Sequence, residues 1–317
     1  MSVDNSVERT SGADASVSGA APDETTAYDV PAAPAVGRSP RSMAWRRFRR
    51  NRLALGGGVV LAAMLVICFG LPLLGHLDPY SVDLTHARQP PGDGHLLGTD
   101  AQGRDVFARL VYAGRVSMGV GLAAALLAIT IGSLFGAVAG AFGGWVDSAV
   151  MRAADVFLSF PPTVVVVVIA GILGPNVWML IIALGGFTWP ISARVVRGVV
   201  LSLREREYIQ ASRAVGAGPW WVIRKHLLPA SLSQVVVVFT LGVATCILQE
   251  AGLSFLGLGV QPPTPSWGGM LRDAQSLTVI SSMPWLWVPP GLAVAVTVLA
   301  VNFVGDGLRD AVDPRQR

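Results

Sequence analysis

Long apolar runs separated by short charged segments set the plan of this chain. Residues 53–74 form 22 uncharged positions, the length that crosses a hydrocarbon core of about 30 Å as a helix. Residues 116–145 predict a second helix with slack at its end. Residues 156–193 hold 38 positions without a charge, too many for one crossing at about 1.5 Å per residue. Gly174, Pro175 and Asn176 punctuate that run, so it predicts a tight hairpin of the third and fourth helices. Residues 230–257, interrupted by Glu250 alone, predict the fifth helix and residues 285–304 the sixth. The expected fold is all-α and polytopic, with six transmembrane helices and both termini on one side of the membrane.

Charge orients the bundle. With the N-terminus inside, the cytoplasmic segments hold the arginines of residues 38–52, Arg152, the basic residues from Arg194 to Lys225, and Arg309, Arg315 and Arg317. The outer segments keep Arg88, Arg104, Arg109, Arg115 and Arg272. The positive-inside rule therefore places both termini in the cytoplasm. Residues 1–37, rich in Ser, Ala, Asp, Pro and Thr, predict a disordered acidic tail. They lack the basic start and early apolar stretch of a signal peptide. The arginines of 38–52 abut an apolar span, so they read as an anchor on anionic lipid heads and not as a nucleic-acid site. A division follows: a tail at 1–37, a basic segment, first helix and extracytoplasmic loop at 38–114, and a five-helix core at 115–317 with a large cytoplasmic loop at about 199–228.

Composition excludes a soluble globular domain: 52% of residues are hydrophobic, 14% are charged, and mean hydropathy is +0.55. Cys68 and Cys246 lie inside apolar runs, and the four histidines show no ligand spacing, which argues against a disulfide framework or a metal site. The one lysine, Lys225, sits between Arg224 and His226. A phosphate-binding loop needs its lysine before Ser or Thr and after a glycine-rich turn, so ATP hydrolysis is not expected in this chain. The abundance of arginine over lysine suggests a GC-rich bacterial genome.

The cytoplasmic loop is the most informative stretch. Residues 204–215 are good helix-forming sequence that ends at Gly216, where a left-handed turn is expected. Tyr208, Ala211, Ser212 and Val215 fall on one narrow stripe of small and apolar side chains. Pro229 suits the first turn of the fifth membrane helix. Two readings fit: a short helix that docks in a partner's groove, or an amphipathic helix lying flat on lipid.

Gln210-Ala211-Ser212, Gly216 after a gap of three, and Leu228-Pro229 further on resemble the EAA loop of permease subunits in ATP-binding-cassette importers. Gln210, Ser212 and His226 depart from its usual Glu, Ala and Ile. Residues 95–115, with Gly98-Thr99-Asp100, Gly103-Arg104-Asp105 and Arg109-Leu110, resemble a stretch of one subfamily, the second permease of dipeptide, oligopeptide and nickel importers. There Ala113-Gly114 sets the late glycine one position further on. Residues 250–268 resemble the outer end of that subfamily's fifth helix, and together with the six-helix layout the resemblance covers about residues 40–315. The resemblance implies a type I importer permease in a bacterial inner membrane. It would form half the pathway, with a homologous second permease, two ATPase subunits that bind ATP and Mg, and an extracytoplasmic substrate-binding protein. This chain itself would hold no cofactor. Glu207, Tyr208, Gln210, Ala211, Ser212, Gly216, Leu228 and Pro229 would couple to the ATPases. Peptides are the implied cargo, with nickel or another small solute as the alternative.

Several residues carry two readings. Glu250, the one carboxylate inside a span, reads as a gate or structural charge pairing with Arg104 or Arg115, or as a cargo contact. Gly98, Thr99, Asp100, Gly103, Arg104 and Asp105 read as a turn cluster at the outer mouth. Gly132, Gly136 and Gly140 suit close helix packing. Asp147, Arg152 and Asp155 read as charges of a short inner loop, and Trp178, Trp267, Trp285 and Trp287 as an outer aromatic belt. An ion-coupled transporter would show internal repeats and several buried ionisable groups, and an intramembrane protease would show a paired nucleophile and base; neither pattern is present in the sequence.

Overall fold

The structure, a computed structural model, describes residues 48, 49, 51–75, 77–92 and 94–312. The acidic tail, most of the basic block, and Arg315 and Arg317 lie outside the described residues. Helix α1 spans Arg52–Leu65, with Asn51 accepting from the N–H groups of Leu53 and Ala54. It runs on through a π turn and a 3₁₀ turn to Leu74. Helix α2 spans Val106–Phe142, ten residues earlier than its apolar run begins. The Asp105 carboxylate caps it by accepting from Ala108 N–H, and Arg109 and Arg115 are wound into its first turns. At 37 residues it is about 55 Å long, well beyond the hydrocarbon thickness.

The segment read as a short inner loop is instead helix α3, Gly144–Ser159. Asp147 and Asp155 on it pair with Arg197 and Arg194 of the long helix at Val177–Arg204, the latter at 2.5 Å. Helix α4, Pro162–Leu173, follows across a bend of 79°. Phe160 and Pro161 each precede a proline and are extended, as the proline ring demands. With 12 residues, or about 18 Å, α4 is too short to cross alone, so a third crossing here takes the bent pair of α3 and α4 together. The break at Gly174–Asn176 falls where the sequence places it, and Asn176 caps helix α5, Val177–Arg204.

Helix α6 spans Glu207–Ala214. Helix α7, Pro219–Val222, passes through a π turn at Ile223–Leu227 into helix α8, Leu228–Phe255. Pro229 falls in the first turn of α8, where the sequence places it, but the helix does not start there. Helical backbone begins at Pro219, and the π turn absorbs the N–H that Pro229 lacks. Helix α9 is Trp267–Asp273, α10 is Leu277–Ser282 and α11 is Pro284–Val312. Five helices are long and apolar enough to cross a membrane, six with the bent pair, and no strand occurs among the described residues.

Helices α2, α5 and α8 pack around one another, with α11 against α8 and α1 against α11. Gly132, Gly136 and Gly140 put the α2 backbone directly on α5. A Cβ at Gly132 would meet the Trp189 carbonyl oxygen at 2.6 Å, and one at Gly136 would overlap that of Ala193. Gly136→Val is expected to cost about 3 kcal/mol, the upper end for overpacking, and to deplete the chain from membranes on quantitative blotting. Gly198→Val, where a Cβ meets open space, should leave the level unchanged. Arg204 at the end of α5 donates to the Gly140 carbonyl at 3.3 Å, and Gly307 near the end of α11 lies against Ala54 near the start of α1. The ends of α2, α5 and α11 and the start of α1 thus share the end of the bundle that carries α6.

Candidate functional site

An eight-residue helix has no stability of its own in water, so α6 must be held by what it touches. Its anchor is Ile209, fully buried among Val196, Val200, Val222, Ile223 and Leu227. Gln210 Nε2 donates to the Glu205 carbonyl at 3.2 Å, and Ser212 Oγ to that of Tyr208 at 2.8 Å. Glu207 sits in the first turn, where a negative charge suits the helix dipole. At the other end Gly216 N–H donates to Arg213 O at 2.9 Å and Ala217 N–H to Ser212 O at 3.0 Å. That double bond, with Gly216 at φ +91°, is a Schellman closure.

With Ile209 facing in, the sequence-predicted stripe faces out. Tyr208, Ala211 and Val215 are exposed and Ser212 is half-buried. Ala211, Ser212, Val215 and Gly216 join Ala217, Gly218 and Trp221 around a shallow, wide-open notch. His226 sits edge-on to Tyr208 and Trp221, with ring centres at 5.9 and 5.0 Å. The structure thus brings Glu207 to Gly216 into one projecting unit. Leu228 packs on the cluster below, and Pro229 is exposed beyond it. Sequence reasoning missed Ile209 and Trp221. The signal for Ile209 was available, since it is the only large aliphatic side chain between Leu203 and Val215.

At the opposite end, Thr99 is fully buried, its Oγ1 donating to the His86 carbonyl and accepting from Gln89 N–H. Asp100 is the hub. Its Oδ1 accepts from the N–H groups of Gln102 and Arg104 at 2.8 and 3.0 Å, and its Oδ2 from Arg104 Nε at 2.7 Å. Arg109 Nε faces that same Oδ2 at 3.4 Å. Asp105, besides capping α2, pairs with His95 Nδ1 at 2.7 Å. Gly98 accepts from Val106 N–H at 3.0 Å. Gly103, at φ +74°, lies so close to the Asp83 carbonyl that a Cβ would overlap it. Hydrogen bonds from Thr85 and His86 hold the Asp83 carboxyl down at about 2. Asp273 of α9 completes the network, 3.5 Å from Arg109 Nη2 and 3.9 Å from Arg104 Nη2. The sequence marks Arg109 only as an outer charge and as part of the 95–115 resemblance, and does not single out Asp273 at all.

Glu250 is fully buried and has no cation partner among the described residues. Arg104 is committed to Asp100, and the Arg115 guanidinium lies 5.9 Å from the centre of the Phe69 ring. Ser254 Oγ donates to Glu250 Oε1 at 2.7 Å and accepts from Val260 N–H at 3.1 Å. The Ser254 hydroxyl, held by the carboxyl, therefore ties α8 to the segment leading to α9. Trp267 on that segment is buried, not part of a belt. Its N–H donates to Ser117 Oγ at 3.2 Å and its ring N–H to the Leu110 carbonyl at 3.1 Å. Glu250→Gln keeps the shape and the acceptor for Ser254. It is expected to stay within about 1 kcal/mol of the parent, whereas Glu250→Leu strands the Ser254 hydroxyl at a cost of about 1–3 kcal/mol. Thermal unfolding of the purified chain checks both. No group of three or more His, Cys, Asp or Glu side chains converges among the described residues.

Residues 132–317 match the family described as binding-protein-dependent transport system inner membrane component, and residues 39–91 match the N-terminal TM domain of oligopeptide transport permease C. A chain of Brucella suis biovar 1 (strain 1330) named as a peptide permease protein is 44% identical over 276 residues, covering 87% of this chain and 91% of that one. The dipeptide transport system permease protein DppC of Bacillus subtilis (strain 168) is 41% identical over 277 residues, covering 86% and 85%. The glutathione transport system permease protein GsiD of Pectobacterium atrosepticum is 38% identical over 279 residues, covering 88% and 92%. A family match over more than half the chain, near-full-length relatives and a helical bundle with up to six crossings agree. This chain belongs to the binding-protein-dependent transport system inner membrane components, as a multi-pass C-type permease subunit of the peptide family of ATP-binding-cassette importers, and is not itself an enzyme.

Proposed function

We propose that the chain carries short peptides inward as one half of a pathway completed by a homologous second permease, driven by two ATPase subunits and fed by an extracytoplasmic binding protein. The observation that carries this reading is α6. A short helix clamped to the bundle by one buried isoleucine, with its small-residue face turned out over a notch, is built to transmit a push. Its one large aliphatic side chain, Ile209, packs on the bundle and not on lipid, and the outward stripe of Tyr208, Ala211, Ser212 and Val215 is of small as well as apolar side chains, which suits a close-fitting partner surface. Glu207, Tyr208, Gln210, Ala211, Ser212 and Gly216 form the contact face for an ATPase. Leu228 and Pro229 carry the movement into α8. ATP and Mg belong to the partner chains, and this chain holds no cofactor.

The peptide cargo is supported by the names of the relatives, which are peptide, dipeptide and glutathione transport proteins. In this reading the α6 end faces the cytoplasm of a bacterial cell membrane, with both termini on that side. The basic segment and first helix precede a five-helix core at 115–317. Nucleotide then shifts the population between inward-open and outward-open arrangements, while Glu250 and the Gly98–Asp105 cluster hold the outer end. Purification of the chain from its native membrane in mild detergent should recover a second permease and ATPase subunits, and the reconstituted complex should take up a labelled dipeptide only with ATP and binding protein. Recovery of the chain alone from an intact assembly, or uptake without ATP, overturns the reading.

A further inference from the structure

Arg109 has a donor that the ion pairs at the outer end leave unmet. The residue is 5% exposed. Its Nε and Nη2 face Asp100 and Asp273 at 3.4 and 3.5 Å, while its Nη1 has no hydrogen-bond partner among the described residues. Both acids are already shared with Arg104, at 2.7 and 3.9 Å. Buried guanidinium groups are ordinarily saturated with acceptors, so this cluster is short of one.

The space for that acceptor is present. Arg109 lines two cavities of about 300 and 350 Å³ that also share Gln102, Arg104 and Asp273. Arg88 and Asp100 line the first and Arg272 the second. Three arginines thus face two aspartates in one cavity, and three face a single aspartate in the other. A recess walled by excess positive charge attracts and concentrates anions. A planar guanidinium fork with free donors matches a carboxylate better than it matches a spherical ion.

We infer that this pair of cavities binds the carboxylate of a small solute at the mouth of the pathway, with Arg109 Nη1 and Arg104 supplying the donors. The inference rests on the importer reading and deepens it, because a short peptide ends in a free carboxylate. The recess favours a small solute over an acidic side chain of a docked protein, since the guanidinium is almost wholly covered.

The test uses the full complex in nanodiscs without its binding protein, and saturation-transfer NMR with two probes, N-acetylglycine and its neutral amide. The parent complex should transfer saturation to the acid at least about tenfold more strongly than to the amide, because only the acid offers two charged acceptors. Arg109→Gln should abolish that contrast. Arg88→Gln, at an exposed position whose loss leaves the buried network standing, should weaken it. Equal transfer to acid and amide in the parent overturns the inference, as does a contrast that survives in an assembled R109Q complex. A parent without the contrast, in which R109Q raises the half-saturating concentration of binding protein, assigns the arginine to protein docking and also overturns it. Peptide uptake by a complex that shows no contrast removes the cavity assignment alone. A contrast in a complex that imports no peptide removes the peptide reading and leaves the cavity standing.

Discussion

Replacing Ile209 with alanine is expected to abolish uptake by the assembled importer while the chain remains in the membrane at its normal level. The side chain is fully buried and is the only residue of α6 that is. Truncating a buried isoleucine costs about 2–5 kcal/mol, and an eight-residue helix holds no reserve against that loss. The cost therefore falls first on the docking of α6, since most of the apolar packing between α2, α5 and α8 belongs to a separate cluster. A loss of about 2 kcal/mol leaves α6 seated roughly thirtyfold less favourably. ATP hydrolysis in the partner subunits should then continue without being stimulated by loaded binding protein. Uptake, ATPase stimulation and membrane level, measured together on I209A, check the expectation. Leu277→Ala, an exposed leucine at the other end, should change none of them. Normal stimulation in I209A would mean that α6 is held by contacts other than this one.

The sequence discloses the membrane bundle where one rule acts alone. An uncharged run of sufficient length has no other stable outcome in lipid, and the break at Gly174, Pro175 and Asn176 has no competing reading. It discloses less where two rules compete. Arg109 and Arg115 bound the apolar run that signals α2, yet a capped helix includes them because they lie in its first turns with partners at hand. The stretch from Gly144 to Asp155 sets Asp147, Arg152 and Asp155 among apolar residues, so it reads as a loop until Arg194 and Arg197 are seen to neutralise its carboxylates. A π turn before Pro229 leaves no mark in residue order.

The candidate sites divide along the same line. The outward stripe of α6 and the left-handed turn at Gly216 are properties of local spacing, and spacing shows them. The hub at Asp100 is local too, formed with Gln102 and Arg104 within four residues. The hydrogen bond from Arg109 to Asp273 spans 164 positions, and only the packing of α9 against α2 and α8 brings the two together. Glu250 shows the same limit from the other side. Its isolation in an apolar run suggests a cation partner, and the fold supplies serine hydroxyls instead.

Gly216→Val is expected to remove uptake as completely as I209A, by a different route. At φ +91° a Cβ at this position meets open space, so nothing in the chain collides with it. The penalty is in the backbone, about 1–3 kcal/mol for a non-glycine residue held in a left-handed conformation and most for a β-branched one. Relief requires giving up the bonds from Gly216 and Ala217 to Arg213 and Ser212, which unwinds the last turn of α6 and moves the floor of the notch. Membrane insertion should be untouched, because no spanning helix contains the residue. Strain makes a further commitment about the order of substitutions. Asparagine tolerates the left-handed region, so uptake should fall in the order Gly216, Gly216→Asn, Gly216→Ala, Gly216→Val. If added bulk on the partner-facing surface were responsible, asparagine would be as damaging as valine, since the two are of similar size. Normal uptake in G216V would remove the coupling role assigned to this loop.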